Sequence, residues 1–176
     1  MDINADLKAK LEPIKLLVMD VDGILTNGTL SFLADGTEVK TFSIFDGLGL
    51  KLLMQNGVET AIITGRSSPQ VKLRAESLGI NYTQQGREDK LVALQELWER
   101  TGYNASNTAY IGDDLPDLSA IRASQFGATV PNGYWLVRQH ADWVSDTPGG
   151  AGAVRELCDL ILAAQGKLDA ALERYL

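Results

Sequence analysis

Two aspartates, Asp20 and Asp22, are separated by one residue and come directly after an apolar run. If both lie at the end of a strand, one carboxylate can attack a phosphorus atom while the other transfers the proton of the leaving group. A third carboxylate, Asp113, follows another short apolar run. The aspartates therefore indicate a candidate site for phosphoryl transfer.

The candidate site carries too much negative charge to receive a phosphate dianion without a cation. Mg²⁺ suits such a site, because it binds a few carboxylates and completes its coordination shell with water and substrate phosphate oxygens. Lys90, at the predicted start of a helix, can hold the transferred group and restrain the nucleophile. Thr64 follows a further apolar run and can donate its hydroxyl group to a phosphate oxygen.

Each of these motifs alone has a simpler structural explanation. An Asp-x-Asp segment is usually a turn or a helix cap, and the Asp113-Asp114 pair is usually a solvated helix N-cap. Lys90 alone is most often a surface residue. The order of the motifs along the chain, and their position at the ends of predicted strands, favour the functional interpretation.

The elements that would position these residues are short apolar runs at residues 16–19, 60–63 and 108–111. Runs without polar alternation are typical of strands that are buried on both faces, as in parallel sheets. Helical patterns lie between them, so the sequence predicts an α/β fold with a doubly wound parallel sheet. Ligands of such sheets bind at the carboxyl ends of the strands.

A β-hairpin is predicted after the first strand, within residues 29–42, because Ala34-Asp35-Gly36 separates two extended segments. A helix of about 12 residues is expected after Pro148-Gly149-Gly150, and a tail follows at residues 165–176. The length of 176 residues, of which 45% are hydrophobic, suits a single domain over residues 1–176.

The composition argues against several classes of protein. The net charge of −7 has no basic cluster, so no nucleic-acid partner is expected. No apolar run approaches the roughly 20 residues that span a bilayer, and the N-terminus lacks signal-peptide character, so a cytoplasmic enzyme is expected. The single cysteine, Cys158, is predicted to be a core residue, and the single histidine, His140, is not expected to be catalytic.

The motifs together resemble those of the haloacid dehalogenase (HAD) superfamily of phosphatases and related hydrolases, which has a Rossmann-like core. The segments that carry the resemblance are Asp20-Val21-Asp22-Gly23, Thr64-Gly65, Lys90 and Gly112-Asp113-Asp114-Leu115-Pro116-Asp117. The resemblance implies this fold without a cap domain. The connections after Gly23 and after Thr64 have no room for a lid domain, so a neighbouring subunit is expected to cover the site.

The resemblance also implies a role for each motif residue. Asp20 would be the nucleophile and Asp22 the general acid and base. Thr64 and Lys90 would bind the phosphoryl group. The implied Mg²⁺ ligands are Asp20, the backbone carbonyl of Asp22, and Asp113. Residues with a supporting role would be Gly65, Asp114 and Asp117.

Further segments are similar to the family of phosphatases that act on 3-deoxy-D-manno-octulosonate 8-phosphate (KDO 8-phosphate), in lipopolysaccharide synthesis. They are Phe45-Asp46-Gly47-Leu48-Gly49, Ala61-Ile62-Ile63-Thr64-Gly65-Arg66 and Gly149-Gly150-Ala151-Gly152-Ala153-Val154-Arg155-Glu156. This family is homotetrameric, and its hairpins form a barrel. The substrate contacts that the resemblance implies are Asp22, Ser43, Ile44, Phe45, Asp46, Gly47, Lys51, Arg66, Arg74 and Lys90.

Two positions differ from the pattern expected of that family. Phe45 stands where a basic residue is common, and Lys51 replaces an expected arginine, which removes a bidentate guanidinium. A nine-carbon ulosonic acid 9-phosphate of the sialic acid type is therefore a second candidate substrate. Two further alternatives are an open monomer that acts on a macromolecule and a non-catalytic binding subunit. The sequence argues against the binding subunit, because every group that the chemistry needs is present.

Overall fold

The computed structural model describes residues 3–176, so the first two residues of the predicted domain range lie outside it. Its central feature is a sheet of six parallel strands in the order β5-β4-β1-β6-β7-β8. The strands are β1 (Leu16–Met19), β4 (Glu59–Ile63), β5 (Tyr82–Gln84), β6 (Thr108–Ile111), β7 (Phe126–Thr129) and β8 (Trp143–Val144).

Helices cover both faces of the sheet, and each face has its own hydrophobic core. The helices on one face are α1 (Ala5–Leu11), α2 (Ile44–Gln55), α3 (Pro69–Leu78), α7 (Ala153–Ala164) and α8 (Leu168–Leu172). The helices on the other face are α4 (Lys90–Thr101), α5 (Leu118–Ala123) and α6 (Trp135–His140). This arrangement confirms the predicted α/β fold class.

Strand β1 is central because all four of its residues are apolar and buried. Leu17 and Met19 face the core formed with α2 and α7, whereas Leu16 and Val18 face the core formed with α4. Its neighbours β4 and β6 lead the chain in opposite directions across the sheet. The crevice outside the carboxyl end of β1 is therefore the topological switch point, where α/β proteins bind ligands.

The predicted hairpin is present, with strands β2 (Ser31–Phe32) and β3 (Glu38–Val39) that are shorter than expected. Its turn closes with a hydrogen bond from the Gly36 N–H to the carbonyl of Leu33, and Gly36 adopts the positive φ that favours glycine. Between β1 and α2, the chain forms this hairpin and the loops that connect it.

The C-terminal region begins with α7, which matches the predicted length of about 12 residues. Cys158 on this helix is fully buried, as predicted, and His140 is exposed at the end of α6. The predicted tail continues into α8 and a final 3₁₀ turn at Glu173–Tyr175. Between residues 3 and 176, every helix is too short or too polar to cross a lipid bilayer.

Candidate active site

A cavity of about 330 Å³ opens at the carboxyl ends of β1, β4 and β6. Most of the motif residues meet there, since the cavity is lined by Asp20, Asp22, Thr64, Lys90, Asp113 and Asp117, among others. Asp20, Thr64 and Asp113 follow the last residues of their strands within one to two positions. Parallel pairing of the three strands therefore brings distant motifs to one edge of the sheet.

Lys90 is the cation at the floor of this cavity and is almost completely buried. Its Nζ lies 2.8 Å from Asp20 Oδ1 and 2.9 Å from Asp117 Oδ1, and it donates a hydrogen bond of 3.0 Å to the carbonyl of Ile63. Burial lowers the pKa of Lys90, but the charges of Asp117 and Asp20 outweigh burial and raise it above its ordinary value. Lys90 is therefore held in its charged form.

Asp117 is completely enclosed and accepts hydrogen bonds on both carboxylate oxygens. Tyr110 donates its hydroxyl to Oδ1 at 2.9 Å, and the N–H groups of Asp113 and Asp114 lie 3.3 Å from Oδ2. Asp117 thereby fixes the loop that carries Asp113. Asp114 is exposed, and its side chain accepts the N–H of Leu115 and begins the short 3₁₀ turn.

Asp20, Asp113 and Asp117 each bring a carboxylate oxygen within 4.8 Å of the others, a spacing that fits one divalent cation. Among residues 3–176, no donor forms a well-aligned hydrogen bond with two buried oxygens of this cluster, Asp20 Oδ1 and Asp113 Oδ1. Asp20 Oδ1 forms an ion pair with Lys90 at 2.8 Å. Because the Asp117 oxygens are occupied, Asp20 and Asp113 are the better candidates for metal ligands.

The crowding of negative charge also changes the acidity of the cluster in the metal-free protein. Burial, followed by the charge of Asp117, raises the pKa of Asp20 to about 6. Burial, followed by the charges of Asp117 and Asp20, raises the pKa of Asp113 to about 7. A bound divalent cation would offset this repulsion, so the donor set fits Mg²⁺.

Asp22 lies at the mouth of the cavity and is partly exposed. Its Oδ1 atom is bonded to Lys40 of the hairpin, and its Oδ2 atom lies 4.0 Å from Nε of Arg66. Arg66 lines the cavity, as expected for a substrate contact, but it also pairs with Glu38. The sequence alone does not indicate that Lys40 and Glu38 belong to the site, because isolated charges near a hairpin form no recognisable motif.

The other predicted substrate contacts lie around the start of α2, outside the residues that line this cavity within the described chain. Ser43 is the N-cap of α2, where its Oγ accepts the N–H of Asp46 at 3.4 Å. Ile44 and Phe45 are exposed, as is Lys51 about two turns further along α2.

Asp46 is the buried member of this segment, and it holds the start of α7. Its Oδ1 accepts the N–H of Arg155 at 2.8 Å, and its buried Oδ2 has no hydrogen-bond partner within residues 3–176. Burial raises the pKa of Asp46. Arg74 donates to the carbonyl of Ser43 at 2.9 Å and packs against Gly47, where a Cβ would meet its guanidinium.

Gly149 packs against the loop that carries Asp22, so an alanine at this position should destabilise the protein. A Cβ on Gly149 would overlap the carbonyl oxygen of Gly23, and a backbone atom cannot swing away as a flexible side chain can. We expect Gly149→Ala to lower the free energy of unfolding by about 1–3 kcal/mol. Urea unfolding measures this change in free energy. The control is Ala151→Ser, at an exposed residue of the same loop. Equal stability of the two variants would contradict the close packing.

Comparisons with known proteins identify the family of this chain. A model of the haloacid dehalogenase-like hydrolases matches residues 84–157, which include Lys90 and Asp113. The 3-deoxy-D-manno-octulosonate 8-phosphate phosphatase of Escherichia coli is 42% identical over 169 residues, which are 96% of this chain and 90% of the relative. The chain belongs to the KDO 8-phosphate phosphatase family.

Solved structures of KDO 8-phosphate phosphatases have the same fold as this chain. The enzyme from Moraxella catarrhalis, in complex with a magnesium ion, a phosphate ion and a KDO molecule, has a TM-score of 0.96 at 49% identity. That comparison covers 97% of this chain and 98% of the other. The cobalt-bound enzyme from Haemophilus influenzae has a TM-score of 0.88 at 42% identity, with 92% and 94% of the two chains covered.

Proposed function

We propose that this chain hydrolyses KDO 8-phosphate to KDO and phosphate, in lipopolysaccharide synthesis, through a phosphoryl-aspartate at Asp20. The observation that carries the proposal is the meeting of Asp20, Lys90 and Asp113 at one sheet edge, in a chain that belongs to the KDO 8-phosphate phosphatase family. The relative from Moraxella catarrhalis, which contains Mg²⁺, phosphate and KDO, supports the choice of substrate and of metal.

The proposed reaction begins with attack of a carboxylate oxygen of Asp20 on the phosphorus atom. Lys90 and the hydroxyl group of Thr64 bind the oxygens of the transferred group, since both line the cavity beside Asp20. Mg²⁺, held by Asp20, Asp113 and the backbone carbonyl of Asp22, would neutralise the charge of the phosphate and the carboxylates.

Asp22 is proposed to move the protons in both halves of the reaction. It gives a proton to the sugar oxygen as the P–O bond breaks, and it takes a proton from the water that later attacks the phosphoryl group on Asp20. Asp22 lies at the mouth of the cavity, two residues after Asp20 in the chain, and this position suits a group that has to reach the leaving oxygen. Gly65, Asp114 and Asp117 support these residues from the surrounding loops.

Specificity for the sugar acid is proposed to come from Arg66 together with Ser43–Gly47, Lys51 and Arg74. Arg66 lines the cavity and supplies a positive charge for the substrate carboxylate. The exposed residues among the others form one surface at the start of α2, next to the hydrogen bond between Arg74 and Ser43, whereas Asp46 and Gly47 are buried. In an oligomer, this surface would contact the substrate in the site of a neighbouring subunit.

A panel of sugar phosphates, assayed with and without Mg²⁺, tests the proposed function. We expect phosphate release from KDO 8-phosphate that depends on Mg²⁺, with kcat/KM well above that for simple hexose phosphates. A nine-carbon ulosonic acid 9-phosphate belongs in the panel because of Phe45 and Lys51. Preference for the nine-carbon substrate would contradict the proposed specificity, and release from no substrate would favour a binding subunit.

A homotetramer in the cytoplasm is the proposed assembly. The hairpin supports an oligomer, because it presents apolar side chains to solvent. Leu30, Phe32 and Leu33 are each more than half exposed in the single chain, which is unusual for a monomer. We expect the mass of a tetramer by gel filtration with light scattering. Phe32→Lys should weaken the assembly, whereas Leu73→Lys, at an equally exposed residue of α3, should not. A monomeric wild-type protein would contradict this proposal.

A further inference from the structure

Lys40, which follows the second strand of the hairpin, is the unexpected charged residue of the site. Its side chain is only 2% exposed, although it comes from a projecting hairpin. Its Nζ bonds to Asp22 Oδ1 and lies 3.3 Å from Glu38 Oε1. A buried ammonium group is costly unless it is paired, so these two carboxylates account for the position of Lys40.

Glu38 connects this lysine to the loop and helix that follow β4. Its carboxylate accepts a hydrogen bond of 3.1 Å from Arg66, and its backbone carbonyl accepts one of 2.8 Å from Nε2 of Gln70. The hairpin is therefore fastened to the core by side chains that surround Asp22. Lys40 is thereby connected to Arg66 through the carboxylate of Glu38.

The two oxygens of Asp22 have different surroundings as a result. Oδ1 is held by Lys40, whereas Oδ2 lies 4.0 Å from Arg66, beyond hydrogen-bond distance. Without Lys40, the partly exposed carboxylate would be free to rotate about its side-chain bonds. When Oδ1 is held, the direction in which Oδ2 points is fixed as well. A small error in that direction slows proton transfer considerably.

We propose that Lys40 is a positioning residue for Asp22: it holds Oδ1 from the hairpin, so that Oδ2 faces the leaving group and the attacking water. Lys40 itself neither attacks phosphorus nor accepts the proton. The proton passes from Asp22 to the sugar oxygen in the first step, and from water to Asp22 in the second. This inference rests on the proposed function, because it assigns Lys40 to the acid and base of that reaction.

The test compares Lys40→Met and Lys40→Arg with the wild-type tetramer on two substrates that differ in leaving group. Methionine keeps the length of the side chain and removes the charge, while arginine keeps the charge. The alkoxide of KDO 8-phosphate needs a proton as it leaves, whereas p-nitrophenolate from p-nitrophenyl phosphate does not. Lys72→Met, at an exposed lysine of α3, is the matched control.

We expect Lys40→Met to lower kcat on KDO 8-phosphate by about 10- to 100-fold with little change in KM. With p-nitrophenyl phosphate, the same variant should release a rapid burst of p-nitrophenolate at the wild-type rate. Slow turnover should follow, since only the second step then needs Asp22. Lys40→Arg should recover part of the loss, and Lys72→Met should match the wild type.

Three results would overturn the inference while leaving the proposed function intact. They are wild-type kcat for Lys40→Met on KDO 8-phosphate, a burst slowed as much as the turnover, and a change confined to KM. The second would place Lys40 in phosphoryl binding or folding, and the third in substrate binding. Failure of the wild-type enzyme to hydrolyse KDO 8-phosphate would instead contradict the proposed function itself.

Discussion

Asp20→Asn should abolish phosphate release from KDO 8-phosphate, with a fall in kcat of at least about 10⁴-fold. The amide nitrogen and oxygen that replace the carboxylate are poor nucleophiles, so the phosphoryl-enzyme cannot form at this position. Phosphate release in the presence of Mg²⁺, measured under single-turnover conditions, checks this. Substrate should still bind, because Lys90 and Thr64 remain in the cavity.

The control for this variant is Asp6→Asn, which removes an exposed carboxylate from α1 and should leave kcat unchanged. Asp20→Asn should stay folded, because Lys90 keeps its ion pair with Asp117 at 2.9 Å. Loss of activity through misfolding can then be distinguished from loss of the nucleophile. The variant should therefore unfold in one cooperative transition near the wild-type midpoint. Substantial turnover by a correctly folded Asp20→Asn protein would contradict the role of Asp20.

Asp113→Asn is expected to separate stability from activity. The change should reduce Mg²⁺ affinity by at least about tenfold and nearly abolish turnover, because it removes a charged candidate ligand. In the absence of metal, the same variant should be more stable than the wild type by about 1–3 kcal/mol, since it removes a buried charge and with it the repulsion from Asp117 and Asp20. Isothermal titration with Mg²⁺ and thermal unfolding in EDTA measure the two effects.

The stability difference should depend on pH in a defined direction. The pKa of Asp113 is about 7 in the folded, metal-free protein, above its ordinary value of 3.8. Between these two values the folded state binds the additional proton, so its stability falls as the pH rises towards 7. The unfavourable contribution is complete above about pH 7 and disappears as the pH falls towards 4.

Thermal unfolding of the metal-free wild type and of Asp113→Asn should therefore diverge at pH 8 and converge near pH 4.5. Saturating Mg²⁺ should stabilise the wild type at pH 8 by about 2.7 kcal/mol at 100 times its dissociation constant, and the same concentration should stabilise the variant by at most about 1.4 kcal/mol. A wild type that is equally stable with Mg²⁺ and with EDTA would contradict the proposed metal site.

The strands that carry the site could be predicted from the sequence because their apolar runs end at polar motifs. The runs at residues 16–19, 60–63 and 108–111 became β1, β4 and β6, with a difference of at most one residue. Strands β7 and β8 were not located, since Phe126–Thr129 contains a glycine and a threonine and Trp143–Val144 is only two residues long. Their positions depend on tertiary pairing, of β7 with β6 and of β8 with β7.

The candidate site was predictable to the extent that its residues occur in motifs at strand ends. Asp20, Thr64, Lys90 and Asp113 line one cavity, and their catalytic roles remain predictions. The contacts of Lys40 with Asp22 could not be predicted, because they depend on how the hairpin folds back over the sheet. Nor does the sequence indicate which carboxylate oxygens are occupied by hydrogen bonds.

The substrate contacts predicted at Ser43–Gly47 remain predictions. The resemblance assigned all five residues to the substrate, yet they lie outside the cavity that contains Asp20. Asp46 instead caps the start of α7 through Arg155, and Gly47 leaves room for Arg74.

The most direct test of the account is to locate the phosphoryl group on the enzyme during turnover. Wild-type protein is mixed with KDO 8-phosphate and Mg²⁺, quenched in acid within one turnover, digested and sequenced by mass spectrometry. We predict one phosphoryl group on Asp20, and none in Asp20→Asn treated in the same way. A phosphoryl group on any other residue would contradict nucleophilic catalysis by Asp20. So would turnover by the wild-type protein during which no phosphoryl group can be trapped.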